Sequence, residues 1–180
     1  DLKDKIILIT GASGAIGGAV AAAVNAGGGV AVTTDLAANE GIDHPLDVTS
    51  EADWQRVMAA VGATHGRLDG LVNAAGIAAV GSIEKTDFAT WRRVLSINLD
   101  GTRHLLQAST AGQVERFVYC STIGIYGHRA PGITSEGSPL APGTIYHRTK
   151  VSSERLVRDF ADDSWLPAVL CWLPVMRVVL

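Results

Sequence analysis

Four successive aliphatic residues, Ile6-Ile7-Leu8-Ile9, run without polar alternation straight into Thr10-Gly11-Ala12-Ser13-Gly14-Ala15-Ile16-Gly17. An unbroken apolar run of this kind is a strand covered on both faces, the condition of an inner strand in a parallel sheet. The segment that follows, 15–26, is Ala-rich and carries Ile16, Val20 and Val24 at four-residue spacing, a helix stripe that Gly27-Gly28-Gly29 ends. A second strand over 30–32 stops at Asp35. Strand, glycine turn, helix and strand in that order open a βαβ unit.

The alternation continues along the chain. Residues 42–48 predict a short third strand broken at Pro45, and Ser50 caps a helix from 51 to about 63. A strand over 68–72 precedes a long helix that Thr86 caps and that passes through Trp91, Val94, Leu95 and Leu99 to about 111. Residues 117–120 form the next strand. A loop rich in Gly, Pro and Ser covers 122–143, a helix spans 144–161, and 168–173 supplies a sixth apolar strand. The pattern predicts an α/β fold, a doubly wound parallel sheet with right-handed crossovers and helices on its flanks. With 180 residues, 47% of them apolar, a single domain over 1–180 is expected.

Charge narrows the partners. Lys plus Arg total 15 against 18 Asp plus Glu, a net charge of −3, which gives no electrostatic footprint for nucleic acid or an anionic membrane. A small-molecule substrate is the expected partner. Cys120 and Cys171 show no Cys-x-x-Cys spacing and the five histidines are scattered, so neither a disulfide framework nor a metal site is expected. A reducing, cytoplasmic setting follows. The apolar tail 166–180 is 15 residues long and contains Pro167, Pro174 and Arg177, so it is not read as a membrane span. The charged start Asp1-Leu2-Lys3-Asp4-Lys5 does not read as an export signal.

Glycines at 11, 14 and 17 permit positive φ and let backbone approach a pyrophosphate, whose charge then meets the free N–H groups at the helix start. The same glycines would also serve close helix–sheet packing alone. Their place in the first βα turn favours a dinucleotide, as does Asp35, which lies 18 residues after Gly17 at the end of the second strand. A carboxylate there accepts two ribose hydroxyls and repels a 2′-phosphate, and no Arg or Lys stands between Asp35 and Arg56 to offset it. NAD is therefore expected over NADP. Tyr146 and Lys150, four residues apart, share a helix face. An ammonium beside a phenol favours phenolate and makes a better acid/base, although the spacing alone also fits a solvated surface pair.

Together these features resemble the short-chain dehydrogenase/reductase superfamily over nearly the whole chain. The likeness rests on Thr-Gly-x-x-Gly-x-x-Gly at 10–17, Asp47-Val48, Asn73-Ala74-Ala75-Gly76, Asn98, and Tyr146-x-x-x-Lys150. It implies a Rossmann-type domain binding NAD through Gly11, Ser13, Gly14, Ile16, Gly17, Asp35, Asp47, Val48, Asn73, Ala74, Ala75, Gly76, Tyr146, Lys150 and Pro174, with no metal. It also implies roles. Tyr146 is the general acid/base, Lys150 binds the nicotinamide ribose and lowers the tyrosine pKa, and Thr122, with Ser121 as backup, bonds the substrate oxygen. Asn98 holds a water connecting Lys150 to solvent, or bonds backbone in mid-helix.

Two branches of the superfamily are represented. Asn73-Ala74-Ala75-Gly76 and Ser96-Ile97-Asn98-Leu99 are similar to compact alcohol dehydrogenases and ketone reductases. The glycine spacing, Ser121-Thr122-Ile123-Gly124-Ile125-Tyr126-Gly127, and the 24 residues from Thr122 to Tyr146 are similar to the extended branch of NAD-dependent sugar-nucleotide epimerases, dehydratases and dehydrogenases. Dehydratases carry Asp-Glu after the Thr where this chain has Ile123-Gly124, so dehydration is disfavoured. Near the end, Trp172 replaces the Arg of the extended branch's Arg-x-Pro. His147 beside Tyr146 reads as a helix-surface residue in preference to one that approaches the substrate, and the resemblance implies a homodimer through helix faces bearing Trp91, Leu95, Val151 and Leu156. The expectation is an oxidoreductase or epimerase acting on a sugar-nucleotide-like secondary alcohol. A compact-branch alcohol dehydrogenase and a non-catalytic NAD-binding regulator are its rivals. Both branches continue past the sixth strand, so the substrate-closing C-terminal part is expected to be short or missing.

Overall fold

The computed structural model describes residues 2–78, 86–111, 113–127, 134–164 and 167–173. Pro174, the tail beyond it and the side chain of Trp172 lie outside the described residues. Six parallel strands make one sheet: β1 (Ile6–Thr10), β2 (Val30–Asp35), β3 (His44–Pro45), β4 (Gly70–Asn73), β5 (Arg116–Thr122) and β6 (Ala168–Leu173), in the order β3-β2-β1-β4-β5-β6. The chain winds outward from β1 to β3, then crosses back to β4 on the other side of β1. That reversal between β1 and β4 opens a crevice at the carboxyl ends of the strands, where open α/β sheets bind their ligands.

Helix α1 (Ala15–Ala26) lies on one face, over Ile7, Ile9, Val72 and Cys120. On the other face, α2 (Glu51–His65), α4 (Gly101–Ala111) and α5 (Ile145–Asp163) bury the main core, centred on Leu8, Leu71, Leu105, Phe117 and Tyr119. Every residue of β1 is buried, as an inner parallel strand requires. The third strand is shorter than expected. Only His44 and Pro45 pair, with Thr34 and Asp35, because proline brings no N–H to extend the ladder.

The long central helix departs from expectation in two places. Its cap is Asp87, whose carboxylate accepts from Thr90 N–H at 2.8 Å, one residue after the anticipated Thr86. It is also not continuous: α3 (Phe88–Leu95) widens into a π-turn over Ser96–Asp100 before α4 begins. The carbonyl of Asn98 inside that turn accepts from Thr102 Oγ1 at 2.7 Å and Ser153 Oγ at 2.9 Å. Two hydroxyls thus bond a carbonyl inside the π-turn, a kind of turn often found at functional positions. Helix α5 starts as expected at Thr144, whose hydroxyl accepts from His147 N–H. Part of the anticipated loop after β5 is a 3-10 turn, Ile123–Tyr126.

Candidate active site

The crevice at the strand reversal is a groove of about 270 Å³. Gly11, Ser13 and Gly14 form its floor, Asp35, Asp47 and Val48 one end, and Ala74, Ala75 and Gly76 the opposite wall. Five of the expected binding residues that the structure describes, Ile16, Gly17, Asn73, Tyr146 and Lys150, do not line it. Gly17 sits behind the turn, where a Cβ would fall 2.3 Å from the Gly11 carbonyl oxygen. Gly11 has φ +68°, and a Cβ there would press on Ala75 backbone at 2.9 Å. Packing therefore requires both glycines, while Gly14 faces the groove. Asn73 is 5% exposed, accepts from Thr10 Oγ1 and donates to Thr102 Oγ1, and so ties β4 to its neighbours instead of facing a ligand. Ile16 stands exposed on the first turn of α1.

Helix α1 opens at Gly14 with no side-chain cap and no acidic residue in its first turn. Its free N–H groups and positive dipole end need an anionic partner, and a pyrophosphate supplies one. Asp35 completes the fit. Its carboxylate accepts from the N–H and hydroxyl of Ser13 and from Leu36 N–H at 2.7 Å. Burial pushes its pKa up, but the Ser13 hydroxyl and the two backbone donors outweigh that and hold it below the usual range. The acid is charged at neutral pH and lines the groove. Two residues that sequence reasoning missed also line the groove, Arg93 and Ile97, one helical turn apart on the wall formed by α3 and the π-turn.

The Tyr146–Lys150 pair lies at the carboxyl end of β5. Lys150 is 5% exposed and donates to the Cys120 carbonyl at 2.9 Å. Its ammonium sits 4.8 Å from the Tyr119 ring centroid and 5.8 Å from that of Tyr146. It also closes on the groove, since a Cβ at Gly76 would be 3.8 Å from Lys150 Nζ. Burial lowers the Lys150 pKa to about 8, against the opposing influence of Cys120 and Glu154. The Tyr146 phenol moves opposite to expectation. Burial, with Cys120 adding to it, raises its pKa instead of the ammonium lowering it.

The two hydroxyls at the end of β5 diverge. Thr122 Oγ1 accepts from Gly124 N–H at 3.2 Å and caps the 3-10 turn. Ser121 is buried and its hydroxyl donates to Glu154, so it is turned away as a backup for Thr122. Asn98 is 2% exposed, and its amide clasps the backbone of Ile77, accepting from N–H and donating to C=O, both at 2.9 Å. It also donates to Thr149 Oγ1 at 3.2 Å. Its side chain thus fastens the loop after β4 to α5. His147 is half-buried, not a surface residue: its ring packs where a Cβ at Gly124 would fall 2.3 Å from Nε2. Among the described residues no cluster of three potential metal ligands occurs, and no helix is long and apolar enough to cross a membrane.

Comparison with known proteins decides the lineage. The NAD dependent epimerase/dehydratase family matches residues 7–174. The chain belongs to this family. NAD is accordingly its cofactor. Relatives of this epimerase/dehydratase chain include a dehydrogenase and an epimerase. It is 35% identical over 131 residues to 2-(S)-hydroxypropyl-CoM dehydrogenase 3 of Xanthobacter autotrophicus, covering 64% of this chain and 51% of that protein. It is 27% identical over 124 residues to UDP-glucose 4-epimerase 4 of Oryza sativa subsp. japonica, covering 68% of this chain and 31% of that one. Among solved structures, a short-chain dehydrogenase/reductase superfamily protein from Agrobacterium tumefaciens with bound NAD is 25% identical, with a TM-score of 0.76 over 92% of this chain and 48% of its own. The chain spans about half the length of the first relative.

Proposed function

We propose that this family member is an NAD-dependent oxidoreductase or epimerase acting at a secondary alcohol or ketone carbon of a sugar-nucleotide-like substrate, with the groove and the Tyr–Lys pair in one domain. The observation that carries the reading is Lys150, a cation 5% exposed and fixed to the Cys120 carbonyl between the Tyr146 ring and the groove wall at Gly76. A buried ammonium with only one hydrogen bond among the described residues has donors to spare for a ribose. When bound, NAD supplies the hydride acceptor and donor of the reaction. The protein's own residues handle the proton and the geometry. Tyr146 Oη takes the proton from the substrate hydroxyl in oxidation and returns it in reduction, and Thr122 Oγ1 orients the same oxygen.

Gly124 supports the exclusion of dehydration. The His147 ring fills the space a side chain would need there, so an additional acid at that position would require the ring to move away. The relative from Xanthobacter favours a second reading, a dehydrogenase of simple alcohols. A panel of sugar nucleotides and secondary alcohols, followed by NADH absorbance and by product analysis, separates the two. An epimerase converts its substrate without accumulating NADH. Tyr146→Phe should lower turnover by about 10²-fold or more while leaving the NAD dissociation constant within about twofold. Undiminished turnover in that variant would remove Tyr146 from its role.

A further inference from the structure

Tyr146, Lys150 and Glu154 follow one another at four-residue spacing on α5, so the three occupy one face of the helix. The chemistry proposed above employs the first two and leaves the third without a task. Yet Glu154, like Lys150, is only 5% exposed. A carboxylate withdrawn from water is costly unless it is paired and hydrogen-bonded. Two of its partners are explicit. Ser121 donates its hydroxyl to Oε1, and Arg158 Nη2 lies 3.9 Å from Oε2 at the protein surface. Consecutive residues of β5 thus meet successive turns of α5: the Cys120 carbonyl takes the Lys150 ammonium, and the Ser121 hydroxyl takes the Glu154 carboxylate.

We propose that Glu154 is a positioning residue of this site, a counter-charge locked by Ser121 that holds Lys150 as an ammonium and pins the end of β5, hence Thr122, against Tyr146. The assignment rests on the reading of Lys150 as the cation of the site. Among the described residues no other carboxylate acts on Lys150. From β5 it faces the Tyr119 ring and the Cys120 thiol, from α5 it faces Tyr146 and Glu154, and from the loop after β4 it faces Gly76. Burial raises the pKa of Tyr119, Cys120 and Tyr146, so all three are neutral at pH 7. Glu154 itself is faced by Ser121 and Tyr119 of β5, by Tyr126 of the 3-10 turn and by Arg158.

The chain has four lysines, Lys3, Lys5, Lys85 and Lys150, so the Lys150 ammonium can be titrated by NMR of ¹³Cε-labelled lysine in the full chain without NAD or substrate. Glu154→Gln keeps an acceptor for Ser121 and removes the charge. It should lower the Lys150 midpoint by about one pH unit. Arg158→Gln removes the guanidinium that partly neutralises Glu154 and should move the midpoint the opposite way, by less because Arg158 is largely in water. A purely structural role for Glu154 would not produce opposite signs. A Glu154→Gln midpoint equal to or above that of the parent chain overturns the proposal. Should that variant not fold, a lowered or unmoved midpoint in Arg158→Gln overturns it instead. Neither result depends on turnover, so failure of the catalytic reading, seen as activity retained by Tyr146→Phe, is told apart from failure of this one.

Discussion

Asp35 does two things at once, and mutation separates them. Its charge faces the groove, while its oxygens organise the glycine turn through Ser13 and Leu36. Asp35→Asn retains an acceptor for Ser13 but loses the charge and the second oxygen that accepts from Leu36 N–H, so it should melt somewhat below the parent and relax its preference for NAD over NADP. Asp35→Ser gives up both and should weaken NAD binding by about tenfold, the loss of roughly one charged hydrogen bond. Isothermal titration with the two cofactors measures both effects, and an Asp35→Asn variant with an unchanged preference would count against a ribose-facing role. Asp35 was legible in the sequence because its position follows from the length of one βαβ unit. Ser121, Asn73 and Glu154 were not, because the direction of a side chain at a strand end or on a buried helix face depends on what packs against it. Ser121 and Thr122 are adjacent and chemically alike, yet one serves α5 and the other the 3-10 turn.

At the scale of the element, the turn between β1 and α1 owes its glycines to packing as much as to a ligand. A Cβ at Gly17 would stand 2.3 Å from the Gly11 carbonyl oxygen, and backbone cannot yield as a side chain can. Gly17→Ala should therefore cost about 3 kcal/mol and weaken NAD binding with it. Gly62, in α2, offers the contrast. Nothing lies within 4 Å of a Cβ there, and the residue is exposed in mid-helix. Gly62→Ala should stabilise the chain by about 0.5 to 1 kcal/mol through helix propensity alone. Denaturant melts of the two variants test the pair, and a similar effect at both sites would contradict the packing argument. Elements bounded by such local signals read well from sequence: α1 runs from Ala15 to Ala26 as its stripe and closing glycines predict. The π-turn at Ser96–Asp100 has no such signal. Thr102 and Ser153 both bond the Asn98 carbonyl within it, and Ser153 lies more than fifty residues further along the chain, on α5.

At the scale of the molecule, the sequence predicts alternating strands and helices, but the position of the site follows from strand order, which places β1 beside β4. That order brings the glycine turn and the Ala74–Gly76 wall to one crevice, with the Lys150 ammonium behind the wall at Gly76. Placing a cation there opposes folding. Lys150 has a pKa of about 8 in the folded chain against an ordinary value of 10.5, a difference worth about 3 kcal/mol. The sign follows from proton binding. Below pH 8 the ammonium is charged in both folded and unfolded chains, and the burial penalty is fully present. Between pH 8 and 10.5 the folded chain releases its proton first, so stability attributable to this group rises, and above 10.5 the penalty is gone. Lys150→Met removes the charge and gives back about 1 kcal/mol for the lost bond to Cys120. The net gain of about 2 kcal/mol at pH 7 corresponds to a melting temperature about 4 to 8 °C higher for a chain of this size. The advantage should shrink as the pH rises from 8 to 10.5, while turnover disappears at every pH. A variant that melts no higher than the parent at pH 7, or whose advantage is flat with pH, would show that the fold does not carry Lys150 as a strained cation.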